Sequence, residues 1–250
     1  RQVFYALTQK HNPLLYIEIH TMISLPDTSI LFEDNHLLVV NKPADWVTQG
    51  ADESQKSLLQ AAKNYLKHKY NKPGNVYLGV VSRLDKLVTG AIVLARTSKA
   101  AARLSNQFRL RQIHKTYEAL VSILPNVVLP EQLQLIDFMR KNEARRRMEI
   151  CAEQDLQAKQ AILSLTVLQE GDNLLHLQIK LETGRKHQIR VQLANIDCPV
   201  AGDHKYGSNL TFSSGIALHS TTLAFEHPVQ HEWLEFHAPH PPSWEPWLIS

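Results

Sequence analysis

Two short stretches hold most of the chemistry this chain can offer. Arg83-Leu84-Asp85, followed by Thr89-Gly90, sets one carboxylate in a polar turn between apolar runs. Gly184-Arg185-Lys186-His187-Gln188-Ile189-Arg190 sets two arginines and a histidine at a predicted helix start. Brought together, they build a charged cleft in which a guanidinium favours the ionised aspartate, where dehydration alone would favour the neutral acid. Free backbone N–H groups near Gly184, with Thr183 as cap, would add a place for an anion. Taken singly, the same residues are ordinary. An aspartate in a turn commonly serves as a cap, and a charged helix start commonly faces solvent. Their weight depends on what the rest of the chain supplies.

Tyr117, two residues after Lys115 in a predicted strand, is either a core or edge residue or a ring able to stack on a base and exchange a proton with it. Arg140, Lys141, Arg145, Arg146 and Arg147, with Arg109, Arg111 and Lys115, form basic surface suited to phosphates or simply to water, and the balance favours RNA. The histidines crowd towards the C-terminus, at His204, His219, His227, His231, His237 and His240. None has the i, i+4 helical pairing or the Cys-His spacing of a zinc site, so no metal is expected. No glycine loop for a nucleotide cofactor is present, and no cofactor is expected. Gly202-Asp203 and Tyr206-Gly207 read as a tight turn.

The elements that must position these groups are partly written in the hydrophobic pattern. Ile30-Leu31-Phe32 and Leu37 to Val40 flank Glu33-Asp34-Asn35-His36 as a hairpin ending at Pro43. Leu58, Leu59, Ala62, Tyr65 and Leu66 recur at helical spacing between Ser54 and Lys69. Val76 to Val81 predicts a strand leading into the Asp85 turn. Gly90 to Ala95 is apolar throughout, as a strand buried on both faces is. Ser98 is placed to cap a helix burying Ala101, Leu104 and Phe108, and Thr116 to Ser122 is a further strand. Leu175, Leu177, Ile179 and Leu181 alternate with polar residues, and a helix after Thr183 would bury Ile189, Leu193 and Ile196. Strands outnumber helices without alternating regularly with them, which predicts an α+β fold with a mixed, mainly antiparallel sheet. Pro125 to Pro130 is the candidate hinge between two halves.

With 250 residues, 44% of them hydrophobic, the chain can bury one large core or two fused halves, and disorder is excluded. A formal charge of +3 permits a polyanionic partner without requiring one. Two cysteines, Cys151 and Cys198, make neither a disulfide framework nor a metal knuckle, which suits a reducing cytoplasm. No apolar run is long enough to span a membrane, so no membrane partner is expected.

In their order, several motifs resemble the RluA-type pseudouridine synthases. They are Asn41-Lys42-Pro43, Ser82-Arg83-Leu84-Asp85 with Thr89-Gly90, Lys115-Thr116-Tyr117, Thr183 through Arg190, Gly202-Asp203 with Tyr206-Gly207, Leu218-His219, and Phe236-His237-Ala238-Pro239. The resemblance runs from about Ile30 to the C-terminal end. It implies a pseudouridine synthase fold, a sheet in two halves with flanking helices and a central cleft, and a cofactor-free isomerisation of uridine in structured RNA, ribosomal or transfer. Asp85 matches the family's catalytic aspartate, which attacks ribose C1′ or, in a competing scheme, removes the C2′ proton to give a glycal. Tyr117 matches the tyrosine that packs on the base and is implicated in removing the C5 proton, and Arg190 the arginine paired with the aspartate. Arg83 matches an arginine thought to hold the flipped nucleotide, and the motifs carry Thr89, Lys115, Arg185, His187, Gln188 and Leu218 over as RNA contacts. Two positions depart from the family pattern: Ser82, where histidine is usual, and Arg96, where lysine is common.

The expected layout is a catalytic domain over 30–250, with 1–29 a leader or extension, no S4-type RNA-binding domain, and a monomer. Two readings compete. A catalytically idle RNA-binding or RNA-folding protein on the same scaffold would not need Asp85, Tyr117 and Arg190 intact. A glycoside hydrolase would want a second carboxylate beside Asp85, where the motifs supply arginine and tyrosine.

Overall fold

The computed structural model describes residues 25–50, 55–123, 127–171 and 173–248. The proposed leader up to residue 24, the helix start at Ser54 and the Pro125 end of the proposed hinge lie outside them. Among the described residues, eleven strands form one sheet. The hairpin β1 (Ile30–Glu33) and β2 (Leu37–Lys42) is antiparallel, and its turn is closed by Asp34 Oδ1, which accepts the N–H groups of His36 and Leu37 at 2.7 and 2.6 Å. Helix α1 (Leu58–Lys69) starts later than its periodicity suggests, because Ser57 supplies the cap by accepting from Gln60 N–H. It buries Leu58, Ala61, Ala62 and Leu66, and Lys67, His68 and Lys69 face the negative end of its dipole.

The predicted strand over Val76 to Val81 contracts to a two-residue strand, β3 (Gly79–Val80). Val76 and Leu78 are buried without joining the sheet ladder. Strand β4 (Thr89–Ala95) is buried at every position, as its unbroken apolar run requires. Thr97, rather than Ser98, caps α2 (Ser98–Arg109), its hydroxyl accepting from Ala100 N–H. Then follow β5 (His114–Ser122), β6 (Gln132–Asn142), β7 (Arg147–Cys151), β8 (Lys159–Glu170), β9 (Leu174–Leu181), α3 (Gln188–Asn195), β10 (Leu218–Glu226) and β11 (Trp233–His237).

The sheet order is β1-β2-β4-β10-β5-β9-β8-β6-β7, with β3 on β4 and β11 on β10. Every strand pair is antiparallel except β4 with β10, which run parallel over only two register positions, His219 with Thr89 and Ser220 with Gly90. The Asp85 turn runs directly into this short parallel seam. Glycine is obligatory at the seam. Gly90 has φ +113°, and a Cβ there would come within 2.3 Å of the Ser220 carbonyl oxygen. The α+β fold with a mixed, mainly antiparallel sheet is thus present as one continuous sheet, in which β5, before the proposed hinge, lies between β10 and β9, after it.

Candidate functional site

Asp85 occupies a turn closed by Val88 N–H donating to the Asp85 carbonyl at 3.1 Å. The turn is clamped from several sides. The Thr48 hydroxyl donates to the Leu84 carbonyl at 2.9 Å and accepts from Leu84 N–H at 3.2 Å. Lys42 is fully buried, and its ammonium donates to the carbonyls of Pro43, Trp46 and Lys86 at 2.9, 2.9 and 3.2 Å. Burial pulls the Lys42 pKa down to about 7, against the supporting negative charges of Asp85 and Asp45. Behind the turn, Ile216 N–H donates to the Leu87 carbonyl, and Gly215 at φ +68° leaves room that a Cβ, 2.3 Å from that oxygen, would take away.

Across from the turn, α3 delivers Arg190, and its start differs from expectation. The helix opens at Gln188 after His187, whose φ of 56° is left-handed, and Thr183 does not cap it. The Thr183 hydroxyl instead accepts from Ile162 N–H at 2.8 Å and donates to Gln188 Oε1 at 2.8 Å. Gln188 also accepts from Arg185 N–H and donates to the Ile162 carbonyl, so the loop folds onto this one amide. The anion position foreseen at Gly184 therefore lies a turn of chain ahead of the helix and does not coincide with its N-terminus.

Arg190 is 3% exposed and shared between two carboxylates. Its Nε and Nη2 donate to the two oxygens of Asp203 at 2.6 and 2.8 Å, and Nη1 reaches Asp85 Oδ2 at 3.3 Å. Asp203 is 1% exposed, so the forked pair is wholly internal, whereas the Asp85 side chain is 28% exposed at the cavity. The guanidinium also lies over the Tyr206 ring, 5.0 Å from its centroid. His187 Nε2 stands 3.6 Å from Asp85 Oδ2, and its Nδ1 is 2.7 Å from the Tyr206 hydroxyl, which accepts from Met148 N–H. Burial pulls His187 down to about 4, outweighing Asp85 and aided by Arg190, so the imidazole is neutral near pH 7.

Asp85, His187 and Arg190 line a cavity of about 230 Å³ with Arg83, Tyr117, Arg185 and Leu218. Tyr117 is 6% exposed and faces Ser220 across the β5–β10 pair. Burial, and after it the charge of Asp85, pushes its phenol above the ordinary range, so Tyr117 stands as a neutral hydroxyl. A groove of about 1160 Å³ adjoins, sharing Arg83, Tyr117 and Arg185 and adding Arg109, Arg111, Lys115 and Lys180. The fold thus brings Asp85, Tyr117, Arg190, Arg83, Arg185, His187, Gln188 and Leu218 to one cavity and puts Lys115 on the groove beside it.

Two residues expected as RNA contacts also hold the fold. Thr89 is buried, its hydroxyl 2.7 Å from His219 Nδ1, while His219 Nε2 lies 3.1 Å from the Ala238 carbonyl. Gln188 lines the cavity but is only 2% exposed, its amide engaged by the bonds just described. Of the basic cluster, Arg140 is paired with Glu149 and Asp155 and Lys141 with Glu143, which leaves Arg145 and Arg146 exposed at the β6–β7 turn. Ser82 lines the groove rather than the Asp85 cavity. Arg96 is remote from both, pairing with Glu33 at 3.0 Å. Sequence reasoning gave no role to Asp203, Tyr206, Lys42 or Thr48, although Asn41-Lys42-Pro43, Gly202-Asp203 and Tyr206-Gly207 stood out as motifs.

Among the described residues, no helix is long and apolar enough to cross a membrane, and Cys151 and Cys198 are free thiols. The family model for RNA pseudouridylate synthases matches residues 36–195. The chain is 33% identical over 231 residues, 85% of its length and 67% of the relative's, to ribosomal large subunit pseudouridine synthase D of Vibrio cholerae. It is 33% identical over 223 residues, 88% of its length and 69% of the relative's, to an uncharacterized RNA pseudouridine synthase of Mycoplasma genitalium. In fold it is similar to the solved structure of human RNA pseudouridylate synthase domain containing 4, with a TM-score of 0.72 at 24% identity, over 87% of this chain and 92% of that one.

Proposed function

The chain belongs to the RNA pseudouridylate synthase family and is an isomerase acting on RNA uridine, and we propose that Asp85, Tyr117 and Arg190 carry its reaction, with large-subunit ribosomal RNA as the substrate. The observation that carries the assignment is the division of Arg190 between Asp203 and Asp85. A forked, buried bond to Asp203 fixes the guanidinium, and one longer contact aligns the Asp85 carboxylate while leaving it open to the cavity.

A target uridine leaves its stack at a cost of roughly a few kcal/mol. Exposed Arg83, on the rim shared by cavity and groove, is placed to hold the displaced strand. With the base against Tyr117, a carboxylate oxygen of Asp85 attacks C1′, and the C1′–N1 bond breaks with its electron pair going to uracil. The freed ring turns, C5 bonds to C1′ and Asp85 departs as carboxylate. The C5 proton is lost and N1 takes up one proton, so atoms and charge balance without a redox partner. Because Tyr117 is held neutral, its first part is to pack on the base. A phenolate waiting to remove the C5 proton is disfavoured.

The rRNA assignment draws on the name of the Vibrio cholerae relative and on the basic groove beside the cavity. Transfer RNA, the other substrate considered, has no comparable support. We place the enzyme in the cytoplasm as a monomer, consistent with its two free thiols, and with residues 30–250 as the catalytic unit. The test is Asp85→Asn. The variant is expected to retain fold and RNA affinity and to form no pseudouridine, and to form no adduct with 5-fluorouridine RNA on a gel. Turnover in the purified variant refutes the role of Asp85. Mapping pseudouridine in total RNA from cells with and without the gene tests the rRNA assignment.

A further inference from the structure

On the other side of the sheet from the cavity, three side chains distant in sequence meet. Tyr117 and Glu118 are consecutive on β5, and successive strand residues point to opposite faces. On β9, Gln178 is the register partner of Glu118, and His176 lies two residues along on the same face. From the segment beyond β11, His240 closes on the same point. Glu118 Oε2 lies 2.8 Å from His176 Nε2 and 3.0 Å from His240 Nε2, and one donor atom from each residue lies within 4.8 Å of the others. The imidazole of His240 is stacked on the indole of Trp244, centroids 4.6 Å apart at 22°, and His176 meets that indole edge-on. Trp244 is fully buried, so the rings rest on a fixed wall.

We propose that Glu118, His176 and His240 bind a divalent transition-metal ion, with zinc the best fit, which fastens the C-terminal segment to the back of the catalytic sheet. Two imidazole nitrogens and one carboxylate oxygen are a donor set that zinc takes up with a water in the fourth position. Zinc bonds of roughly 2.0–2.2 Å at tetrahedral angles separate donors by about 3.3–3.6 Å, so the two Glu118 spacings would open by roughly half an ångström, while the two histidine nitrogens already lie within 4.8 Å of each other. His240 Nε2 is shielded from solvent yet has no well-directed hydrogen bond, despite its closeness to Glu118. Coordination would use the lone pair that this geometry leaves idle. Side-chain exposures of 13%, 14% and 24% for Glu118, His176 and His240 leave a path for the ion. The expectation of no metal came from local spacing, and no local spacing reports a convergence of β5, β9 and a tail.

The experiment titrates chelator-stripped protein with zinc chloride by calorimetry and follows thermal unfolding with and without zinc. One equivalent is expected to bind and to raise Tm by several degrees, and cobalt(II) is expected to give visible absorption typical of tetrahedral coordination. His240→Ala and Glu118→Gln should each weaken zinc binding at least tenfold and abolish the Tm rise. His231→Ala, an exposed histidine elsewhere, should change neither. Should Glu118→Gln fail to fold, His240→Ala, beyond the last strand, still decides. The absence of a one-equivalent isotherm at 100 μM zinc, or binding unaffected by His240→Ala, overturns the proposal and leaves the cluster as a Glu-His ion pair.

Discussion

Replacing Asp203 by Asn separates the stability of the site from its chemistry. The substitution keeps the shape but removes the charge facing a guanidinium that is 3% exposed, while Asp203 itself is 1% exposed. Breaking one partner of a buried ion pair costs about 3–5 kcal/mol. Asn returns one carbonyl acceptor to Nε or Nη2 but sets an N–H donor against the other, so a loss of about 2–4 kcal/mol is expected. With a urea m-value of about 2–3 kcal/mol/M for a chain of this size, the denaturation midpoint should fall by about 1 M. Asp85→Asn should behave differently. Its side chain is 28% exposed and makes one contact of 3.3 Å with Arg190, in the range where ion pairs contribute about 0–1 kcal/mol. The stability order is therefore Asp203→Asn well below Asp85→Asn, while activity is abolished in the second and reduced about tenfold or more in the first as Arg190 loses its anchor. Urea titrations and single-turnover pseudouridine formation measure both. Equal stability losses, or an Asp203→Asn midpoint unchanged from wild type, would refute the reasoning.

Stability should also fall in mild acid. Burial depresses His219 from 6.5 to about 4 and His187 likewise to about 4, so between those values the unfolded chain binds more protons than the folded one. Their contribution is complete above about pH 6.5 and is lost as pH falls towards 4. For the fully buried His219 alone this amounts to about 3 kcal/mol. Denaturation midpoints from pH 7.5 to 4.5 should show this slope, and His219→Gln should flatten it. Lys42→Met should leave three buried carbonyls without a donor at about 1–3 kcal/mol each, offset by removal of a costly buried ammonium. The expected net is a loss of about 2 kcal/mol with turnover reduced, since the Lys86 carbonyl next to Asp85 is released; a wild-type melting curve and rate would count against Lys42 as a clamp.

What the sequence made legible was local. The alternation of Leu175, Leu177 and Ile179 and the apolar run of β4 are periodic signals that one element carries by itself, and the structure has both. Strand β6 buries only Leu135 and Met139, with Ile136 exposed between them, so no steady period marks it; β8 alternates from Ala161 to Thr166, but Ile162 and Leu168 on its open face blur the pattern. The start of α3 was misplaced for a related reason. Thr183 has the side chain of a cap, and only the folded loop reveals that Gln188, five residues on, claims its hydroxyl. Asp203 passed for a turn residue because Gly202 and Gly207 flank it. Its bond to Arg190 depends on how the chain returns after α3, and no spacing rule encodes that.

The arrangement also explains how an arginine can stand beside a nucleophile without quenching it. A guanidinium paired face to face with Asp85 would stabilise the resting carboxylate as much as the transition state, and uniform stabilisation gives no rate. Here Asp203 occupies the fork, and Asp85 receives only the remaining edge at 3.3 Å. That edge fixes the direction of the carboxylate while leaving its electron pairs open to the cavity. Such a division needs the fork held rigidly, which is why the burial lies on Asp203 and Arg190 rather than on Asp85, with the Tyr206 ring beneath the guanidinium. On this reasoning, Arg190→Lys should be severe even though charge is kept. One ammonium on a flexible stem lacks the planar fork that addresses two carboxylates in fixed directions.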